Sequence, residues 1–215
     1  MKELQLPTVT SSLELFSWTD KKFIPSCYEL EPFHDDNVIF CGSLKHRNVV
    51  SHQQKDKILV YMGNGTISQK KMVTEIKTAF QNSNYHVYIA GMGLNEEHFD
   101  TIHIAPYFDF KSLLPEALLF INHGGQNSII DGLIYGVPQL ICPGKVFERR
   151  FNAQSIEKNH AGIELSYTDF SAECILRYAD KILSDSQYQN NAENLGNILV
   201  SLGGTQNIIR ALRGN

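Results

Sequence analysis

The feature that most constrains the fold is a regular alternation of short apolar runs with segments of helical periodicity, which begins near Ile58. The apolar runs are continuous rather than alternating, which is typical of strands buried on both faces. Helical segments between such strands predict an α/β fold with a Rossmann-like parallel sheet and helices on both faces. The predicted strands cover residues 58–62, 86–90, 102–105, 118–122, 139–142 and 162–165.

Amphipathic helices are predicted between and after these strands. One apolar stripe runs from Met72 to Phe80, a second from Ile129 to Ile134, and a weaker one covers residues 151–159. The remaining predicted helices cover 172–183, 188–202 and 206–212. The first 45 residues contain no clear βαβ unit, although residues 4–9 and 38–41 resemble short strands. We therefore predict two parts: residues 1–45 as the remnant of an amino-terminal domain with its linker, and residues 46–215 as a ligand-binding domain.

Charge and cysteine usage exclude several classes of protein. The 19 Lys and Arg residues are scattered, and with 23 Asp and Glu the net charge is −4, so nucleic acid is a poor partner. The four cysteines are isolated and no histidine pair has metal-ligand spacing, so neither a disulfide framework nor a metal site is predicted. No apolar stretch approaches the ~20 residues of a membrane span. These features predict a reduced, cytoplasmic protein.

The strongest local signal follows the strand predicted at 118–122. His123-Gly124-Gly125 leads directly into a helix that begins near Asn127 and Ser128. Free N–H groups and the helix dipole attract anions at such a terminus, and glycine lets a phosphate approach the backbone closely. Asn127 and Ser128 either add side-chain donors or only cap the helix. This pattern is more often a plain turn, in which the histidine caps a helix or belongs to the core.

Two further loops follow predicted strands. Residues 63–66 resemble a truncated dinucleotide-binding loop, but Ser68 replaces its third glycine and no acidic residue ends the next strand, so an NAD site is not predicted. After Pro143, Glu148 and Arg149 open a helix, a pattern that a solvated helix start explains equally well. Because loops at the carboxyl ends of parallel strands face a common crevice, we predict one lined by residues 63–66, 107–108 and 123–128.

Taken together and in order, these loops resemble the carboxy-terminal domain of the GT-B glycosyltransferases, in the group of UDP-glycosyltransferases and bacterial macrolide and antibiotic glycosyltransferases. That family's signature is His-x-Gly-x-Asn-Ser with an acidic residue three positions on. Here the signature reads His123, Gly125, Asn127, Ser128 and Asp131. A Gly-Val-Pro, a strand, a proline and an Asn-Ala pair follow within residues 136–153. The resemblance covers about residues 38–161.

The resemblance implies a role for each part of the predicted crevice. The diphosphate of a UDP- or dTDP-sugar would be held by Gly65, Thr66, His123, Gly124, Gly125, Asn127 and Ser128. The ribose would bind Asp131, which is one methylene shorter than the glutamate usual in the family. The base would lie against Tyr107 and Phe108, where Asp109 departs from the family pattern. The sugar would contact Glu148 and Arg149, where the family has Asp-Gln and a cation now replaces a neutral amide.

The resemblance also implies a function. The chain would be the donor-binding domain of an inverting, metal-independent glycosyltransferase with a small-molecule or lipid acceptor, and it would need no cofactor besides the sugar donor. The family's catalytic base is a histidine of the amino-terminal, acceptor-binding domain, and no residue here matches it. We therefore expect that domain as a missing or separate partner, any membrane contact to run through it, and no catalytic residue or transfer activity in this chain alone.

Three alternatives stay open on the sequence alone. The chain could be half of a nucleotide-sugar epimerase of the same fold, although that activity needs carboxylates at the sugar end, where only Glu148 is available. It could be a non-catalytic nucleotide-sugar-binding subunit of a split glycosyltransferase, although its linker-like first 45 residues argue against a purpose-built subunit. It could also be a parallel α/β domain without a nucleotide site.

Overall fold

A computed structural model of the chain describes residues 19–31, 35–47, 55–63 and 65–213. Within these ranges the strands are β1 (Lys22–Ile24), β2 (Val38–Phe40), β3 (Lys57–Tyr61), β4 (His86–Ala90), β5 (Glu97–Phe99), β6 (Ile102–Ala105), β7 (Ala117–Asn122), β8 (Gln139–Ile141) and β9 (Gly162–Glu164). The helices are α1 (Gln69–Phe80), α2 (Phe110–Leu113), α3 (Gln126–Ile134), α4 (Phe147–Lys158), α5 (Ala172–Ser184), α6 (Ser186–Ser201) and α7 (Gly204–Arg213).

The main sheet has the strand order β5-β6-β4-β3-β7-β8-β9. Its neighbouring strands are parallel except for β5, which pairs with β6 in the antiparallel sense. The bounds of the six predicted strands agree with the structure to within one residue. The predicted Rossmann-like parallel sheet is therefore confirmed.

The central strands pack against helices on both faces of the sheet. Ile58 and Val60 belong to a core that includes α1 and α5, whereas Leu59, between them, belongs to a second core with α3, α4 and α6. All three side chains are 0% exposed. Their burial explains the continuous apolar run, because successive side chains of a strand point to opposite faces and here both faces are covered.

Three local features differ from the predictions. The helix expected at residues 151–159 begins four residues earlier, at Phe147. The edge strand β5 was not predicted, and its three residues are exposed. The short helix α2 was also not predicted; Asp109 caps it by accepting a hydrogen bond from the Lys111 N–H at 3.2 Å.

The segment before the main sheet contains a separate parallel pair, β1 with β2. The strand β2 was predicted and β1 was not, while the strand predicted at residues 4–9 lies outside the described residues. After β2 the chain packs against the end of α6 and the start of α7. The Ser43 N–H donates to the Leu199 carbonyl of α6 at 2.9 Å, and the Gly204 N–H of α7 donates to the Cys41 carbonyl at 2.7 Å. Among the described residues, no helix combines the length and apolar character needed to cross a membrane.

Candidate functional site

A cleft of about 600 Å³ opens where β3, β4, β6 and β7 end. Five of the predicted site residues line it: Tyr107, Phe108, Asn127, Ser128 and Asp131. The other lining residues are Tyr61, Ala90, Pro106, Asp109, Phe110, Lys111 and Phe120. Because β3, β6 and β7 run parallel, the three loops predicted to share a crevice lie at one edge of the sheet.

Aromatic rings form one side of this cleft. Phe110 packs edge-on against Tyr61 and Phe120, with ring centroids 6.3 and 5.6 Å apart. Phe108 is held in the same way against Tyr88, at 5.3 Å. Tyr107 is 76% exposed, so its ring face is open to the solvent. A planar ligand ring entering the cleft would therefore meet fixed aromatic surfaces.

The turn between β7 and α3 is fixed by a chain of buried amide side chains. The Gly124 N–H donates to Asn122 Oδ1 at 2.8 Å, and the Asn122 amide donates to Gln139 Oε1 at 2.8 Å. Gln139 in turn donates to the carbonyl of Ile129 in α3, at 3.0 Å. Asn152 of α4 donates to the Gly124 carbonyl at 2.8 Å. Both backbone polar groups of Gly124 are thus satisfied inside the protein, and the turn has a single well-determined geometry.

Two helices begin beside this turn without a side-chain cap. The cap residue of α3 is Gly125 and that of α4 is Val146, and neither supplies a capping side chain. Asn127 and Ser128 lie inside the first turn of α3, so they do not act as its cap. The N–H groups of a first helical turn have no partner within the helix. Among the described residues, no hydrogen bond uses the first N–H groups of either helix. Both helix starts therefore present donors and the positive ends of their dipoles at the carboxyl edge of the sheet.

His123 contacts both glycine loops. Its ring lies 3.3 Å from the position that a Cβ would take at Gly63 and 2.6 Å from the equivalent position at Gly125. Burial lowers the pKa of His123 below its ordinary value of 6.5; the Tyr61 carbonyl opposes this shift and the charge of Arg149 adds to it. The ring is therefore neutral at pH 7. Because Nδ1 lies 3.4 Å from the Tyr61 carbonyl, which can only accept, hydrogen bonding assigns the proton to Nδ1.

Gly65 and Thr66, the other predicted diphosphate residues, lie beside the cleft and not among its lining residues. Both are exposed. Thr66 Oγ1 accepts a hydrogen bond from the Lys145 N–H at 3.4 Å, and a Cβ at Gly144 would collide with the same hydroxyl group. The loop after β3 and the loop after β8 are thus in direct contact, which brings the start of α4 next to Gly65.

Asp131 is held by a residue that the sequence did not suggest. Lys45 Nζ donates to both carboxylate oxygens of Asp131, at 2.7 Å each. The two residues are 86 positions apart, and both side chains are partly exposed. Each carboxylate oxygen keeps a further lone pair, so Asp131 can still accept hydrogen bonds from a ligand in the cleft.

Glu148 and Arg149 lie in the first turn of α4, and neither is among the residues that line the aromatic cleft. Glu148 is exposed and Arg149 is half-buried. A Cβ at Gly65 would lie 3.5 Å from Nη1 of Arg149, and a Cβ at Gly124 would lie 2.8 Å from its carbonyl oxygen. Arg149 therefore touches both glycine loops.

Sequence reasoning missed the residues that support this arrangement. Lys45 lies in a stretch read as linker, and its pairing with Asp131 has no local signal. Asn152 belongs to the Asn-Ala pair of the family pattern, but its hydrogen bond to Gly124 follows only from the packing of α4. Asn122 and Gln139 each lie at one end of a strand whose other residues are apolar. A buried amide needs hydrogen-bond partners, so these two residues were the sequence signal for a buried polar network.

The fold and the site together define a class of protein. A glycine turn that opens a helix beside an aromatic cleft, at the carboxyl edge of a parallel sheet, is an arrangement found in nucleotide-binding α/β domains. Residues 94–213 match the family described as the C-terminal domain of erythromycin biosynthesis protein CIII-like proteins. The chain belongs to this family.

Known proteins agree with this assignment. The uncharacterized UDP-glucosyltransferase YdhE of Bacillus subtilis (strain 168) is 27% identical over 182 aligned positions, and the match covers 80% of this chain and 45% of the relative. The aclacinomycin-T 2-deoxy-L-fucose transferase of Streptomyces galilaeus is 26% identical over 125 residues, covering 58% of this chain and 28% of the relative. The crystal structure of CalG4, the calicheamicin glycosyltransferase, superposes with a TM-score of 0.80 at 17% identity, over 96% of this chain and 55% of that chain.

The chain therefore spans about half the length of YdhE and of CalG4. The half that it matches is the carboxy-terminal one. The predicted fold, the carboxy-terminal half of a GT-B glycosyltransferase, is confirmed.

Proposed function

We propose that this chain is the donor-binding domain of an inverting, metal-independent glycosyltransferase that uses a UDP- or dTDP-sugar. The observation that carries the proposal is the uncapped start of α3 on the fixed turn at Gly124, directly beside the aromatic cleft. Backbone donors at a helix start bind phosphate oxygens, and an aromatic cleft accepts a flat base. Both halves of a nucleoside diphosphate thus find matching surfaces side by side.

Each part of the nucleotide sugar is assigned to the side chains or backbone groups at the carboxyl edge of the sheet that match its chemistry. The base lies against Tyr107 and Phe108, and the ribose hydroxyls donate to the carboxylate of Asp131. The diphosphate accepts hydrogen bonds from the first turn of α3, with Ser128 and Asn127 as neighbouring side-chain donors. Glu148, in the first turn of α4, is the acceptor for hydroxyl groups of the sugar.

The reaction follows from this placement. The acceptor hydroxyl oxygen forms a bond to the anomeric carbon from the side opposite the diphosphate, and a general base takes its proton. The bond from the anomeric carbon to the diphosphate oxygen breaks, and its electron pair stays on the diphosphate. We assign the base and the acceptor pocket to an amino-terminal domain, and the acceptor to small molecules or lipids.

Names and structures of similar proteins support this proposal. Glycosyltransferase VinC was solved in complex with DTDP, and this chain superposes on 41% of it, with 74% of this chain covered, a TM-score of 0.62 and 16% identity. YdhE carries the name of a UDP-glucosyltransferase. UDP and dTDP share the diphosphate and differ in the base. A site that holds the diphosphate through helix-start N–H groups and nearby side-chain donors does not distinguish the two.

Nucleotide binding without a metal is the direct test. Titration calorimetry of the full 215-residue chain with UDP and with dTDP is expected to show one site for each, at the same affinity in Mg²⁺ and in EDTA. The physical reason is that helix-start donors supply the positive potential at the diphosphate. Uridine is expected to bind more weakly than UDP. No binding of either nucleotide would refute donor binding, and binding lost only in EDTA would refute metal independence.

The proposed ribose contact gives a second prediction. Asp131→Ala is expected to weaken UDP binding about ten- to hundredfold, the worth of a hydrogen bond to a charged group. Binding of inorganic pyrophosphate is expected to stay the same or to strengthen, because a carboxylate repels phosphate and its removal leaves the Lys45 ammonium unpaired. Competition titrations with both ligands measure the two changes.

Asp109→Asn is the matched control for Asp131→Ala. Asp109 lines the same cleft, but its side chain accepts from the Lys111 N–H and asparagine can keep that cap. The control is expected to change UDP binding less than about twofold. Equal losses of UDP and pyrophosphate in the Asp131 variant would instead assign Asp131 a purely structural role.

A further inference from the structure

We propose that Arg149 binds the diphosphate of the donor and stabilises it as the leaving group, in place of the contact with the donor sugar that the family pattern implies. This inference rests on the proposed donor-binding function. The geometry points to it because the guanidinium lies against the loop at Gly65 while the backbone of the same residue lies against Gly124. Arg149 thus joins the two glycine loops that flank the start of α3.

Two observations locate the guanidinium of Arg149 within the candidate site. A Cβ at Gly65 would lie 3.5 Å from Nη1 of Arg149. The charge of Arg149 also acts on the His123 ring, whose pKa is lowered by burial and further by this charge. The guanidinium therefore lies against the loop after β3, and its charge reaches the ring of His123 in the turn after β7, beside which the proposal places the diphosphate.

Arg149 is available to a ligand. It is half-buried, and among the residues that the structure describes no carboxylate forms an ion pair with it. The neighbouring cations are turned elsewhere: Lys145 lies over the Tyr167 ring at 5.5 Å, and the charge of Arg150 acts on Glu164. An anion binds more strongly to a half-buried, unpaired cation than to a fully solvated one, because part of the cation has already lost its water on folding.

The chemistry of the step explains why a cation is needed at this point. When the bond to the anomeric carbon breaks, negative charge builds up on the diphosphate oxygen, and catalysis requires groups that bind this charge better in the transition state. Each of the two helix starts supplies roughly half a positive charge. His123 is neutral at pH 7 and supplies no positive charge. Arg149 adds a full positive charge, and the planar guanidinium of Arg149 can donate to two phosphate oxygens at once.

The test compares R149Q, R149K and R150Q in the full chain, by calorimetry with UDP and UDP-glucose and by ligand-observed NMR with uridine. R149Q is expected to weaken UDP and UDP-glucose by a similar factor of about ten to a hundred and to leave uridine unchanged. R149K is expected to lie between R149Q and the parent, because it keeps the charge and loses the fork. R150Q removes the same charge from the next position of α4, in a different pocket, and is expected to change UDP binding less than about twofold.

Each other outcome separates this inference from the proposed function. If the parent chain binds UDP and R149Q binds it equally well, donor binding stands and the role of Arg149 is overturned. A loss confined to UDP-glucose assigns Arg149 to the sugar and overturns the inference. Equal losses of UDP and uridine indicate a structural role and also overturn it, and thermal unfolding of each variant identifies that case. If the parent chain binds no nucleotide, the proposed function itself fails.

Discussion

Alanine in place of Gly124 is expected to remove measurable nucleotide binding and to lower the melting temperature of the protein. Gly124 has φ +81°, and a Cβ there would lie 2.8 Å from the Arg149 carbonyl and 3.0 Å from Ile141 Cγ2. The left-handed backbone and the overpacking together cost several kcal/mol, so the melting temperature is expected to fall by roughly 5–15 °C. The added methyl group pushes α4 away from the turn, which separates Arg149 and the Asn152 hydrogen bond from the start of α3.

Gly93→Ala is the matched control for this substitution. Gly93 also has a left-handed backbone, with φ +93°, but a Cβ there would meet only Gln69, at the ordinary contact distance of 3.6 Å. It therefore carries the backbone strain without the collision. Thermal unfolding and UDP titration of both variants separate the two effects: Gly93→Ala is expected to lose some stability and to keep UDP binding within about twofold. Parent-like UDP binding by Gly124→Ala would show that this turn is not the diphosphate site.

The sheet was predictable because its strands are buried on both faces. In β3, Ile58, Leu59 and Val60 are all fully buried, and no polar side chain interrupts the pattern. The same holds for Leu119, Phe120 and Ile121 in β7. A continuous apolar run of five or six residues between turn signals then has few structural alternatives, and its ends are marked by the glycine loops that follow.

The elements that were missed lack this signal. The residues of β5 are exposed and the strand exists because its backbone pairs with β6 at the edge of the sheet. In α4, Phe147 is 84% exposed although it is apolar, so the first turn does not follow the helical pattern. That turn is positioned by the packing of Asn152 and Arg149 on Gly124, which a single sequence does not reveal.

The candidate site likewise contains some features that local sequence patterns mark and others that depend on packing. Its glycine turns and the aromatic pair Tyr107-Phe108 were identified because local patterns and the family resemblance mark them. The ion pair of Lys45 with Asp131 and the place of Arg149 beside Gly65 depend on contacts between distant parts of the chain. The glycine turns of the candidate site are thus readable from the sequence, whereas the charged side chains that surround them become apparent only in the packed structure.

The largest effect that we expect is the absence of sugar transfer: the 215-residue chain alone should give no acceptor-dependent product. Transfer needs a base, worth about 10²–10⁴ in rate, and an acceptor held in line with the anomeric carbon, worth an effective concentration of about 10⁵ M or more. We assign both to the amino-terminal domain. His123 is hydrogen-bonded to the Tyr61 carbonyl and packs against Gly63 and Gly125. Glu148 lies in the first turn of α4, beside the proposed sugar position.

The measurement is mass spectrometry of the chain incubated with UDP-glucose and other donors, with and without phenolic, macrolide and lipid acceptors. Slow release of UDP without an acceptor is compatible with the proposal, because water needs no pocket and can attack the anomeric carbon of a bound donor. This release should disappear in Gly124→Ala, which serves as the control for contaminating activity, and should persist in Gly93→Ala. An acceptor-dependent product that is lost in His123→Ala or Glu148→Ala would mean that the chain carries its own base. The base would then be one of these two residues, and not a residue of an amino-terminal domain.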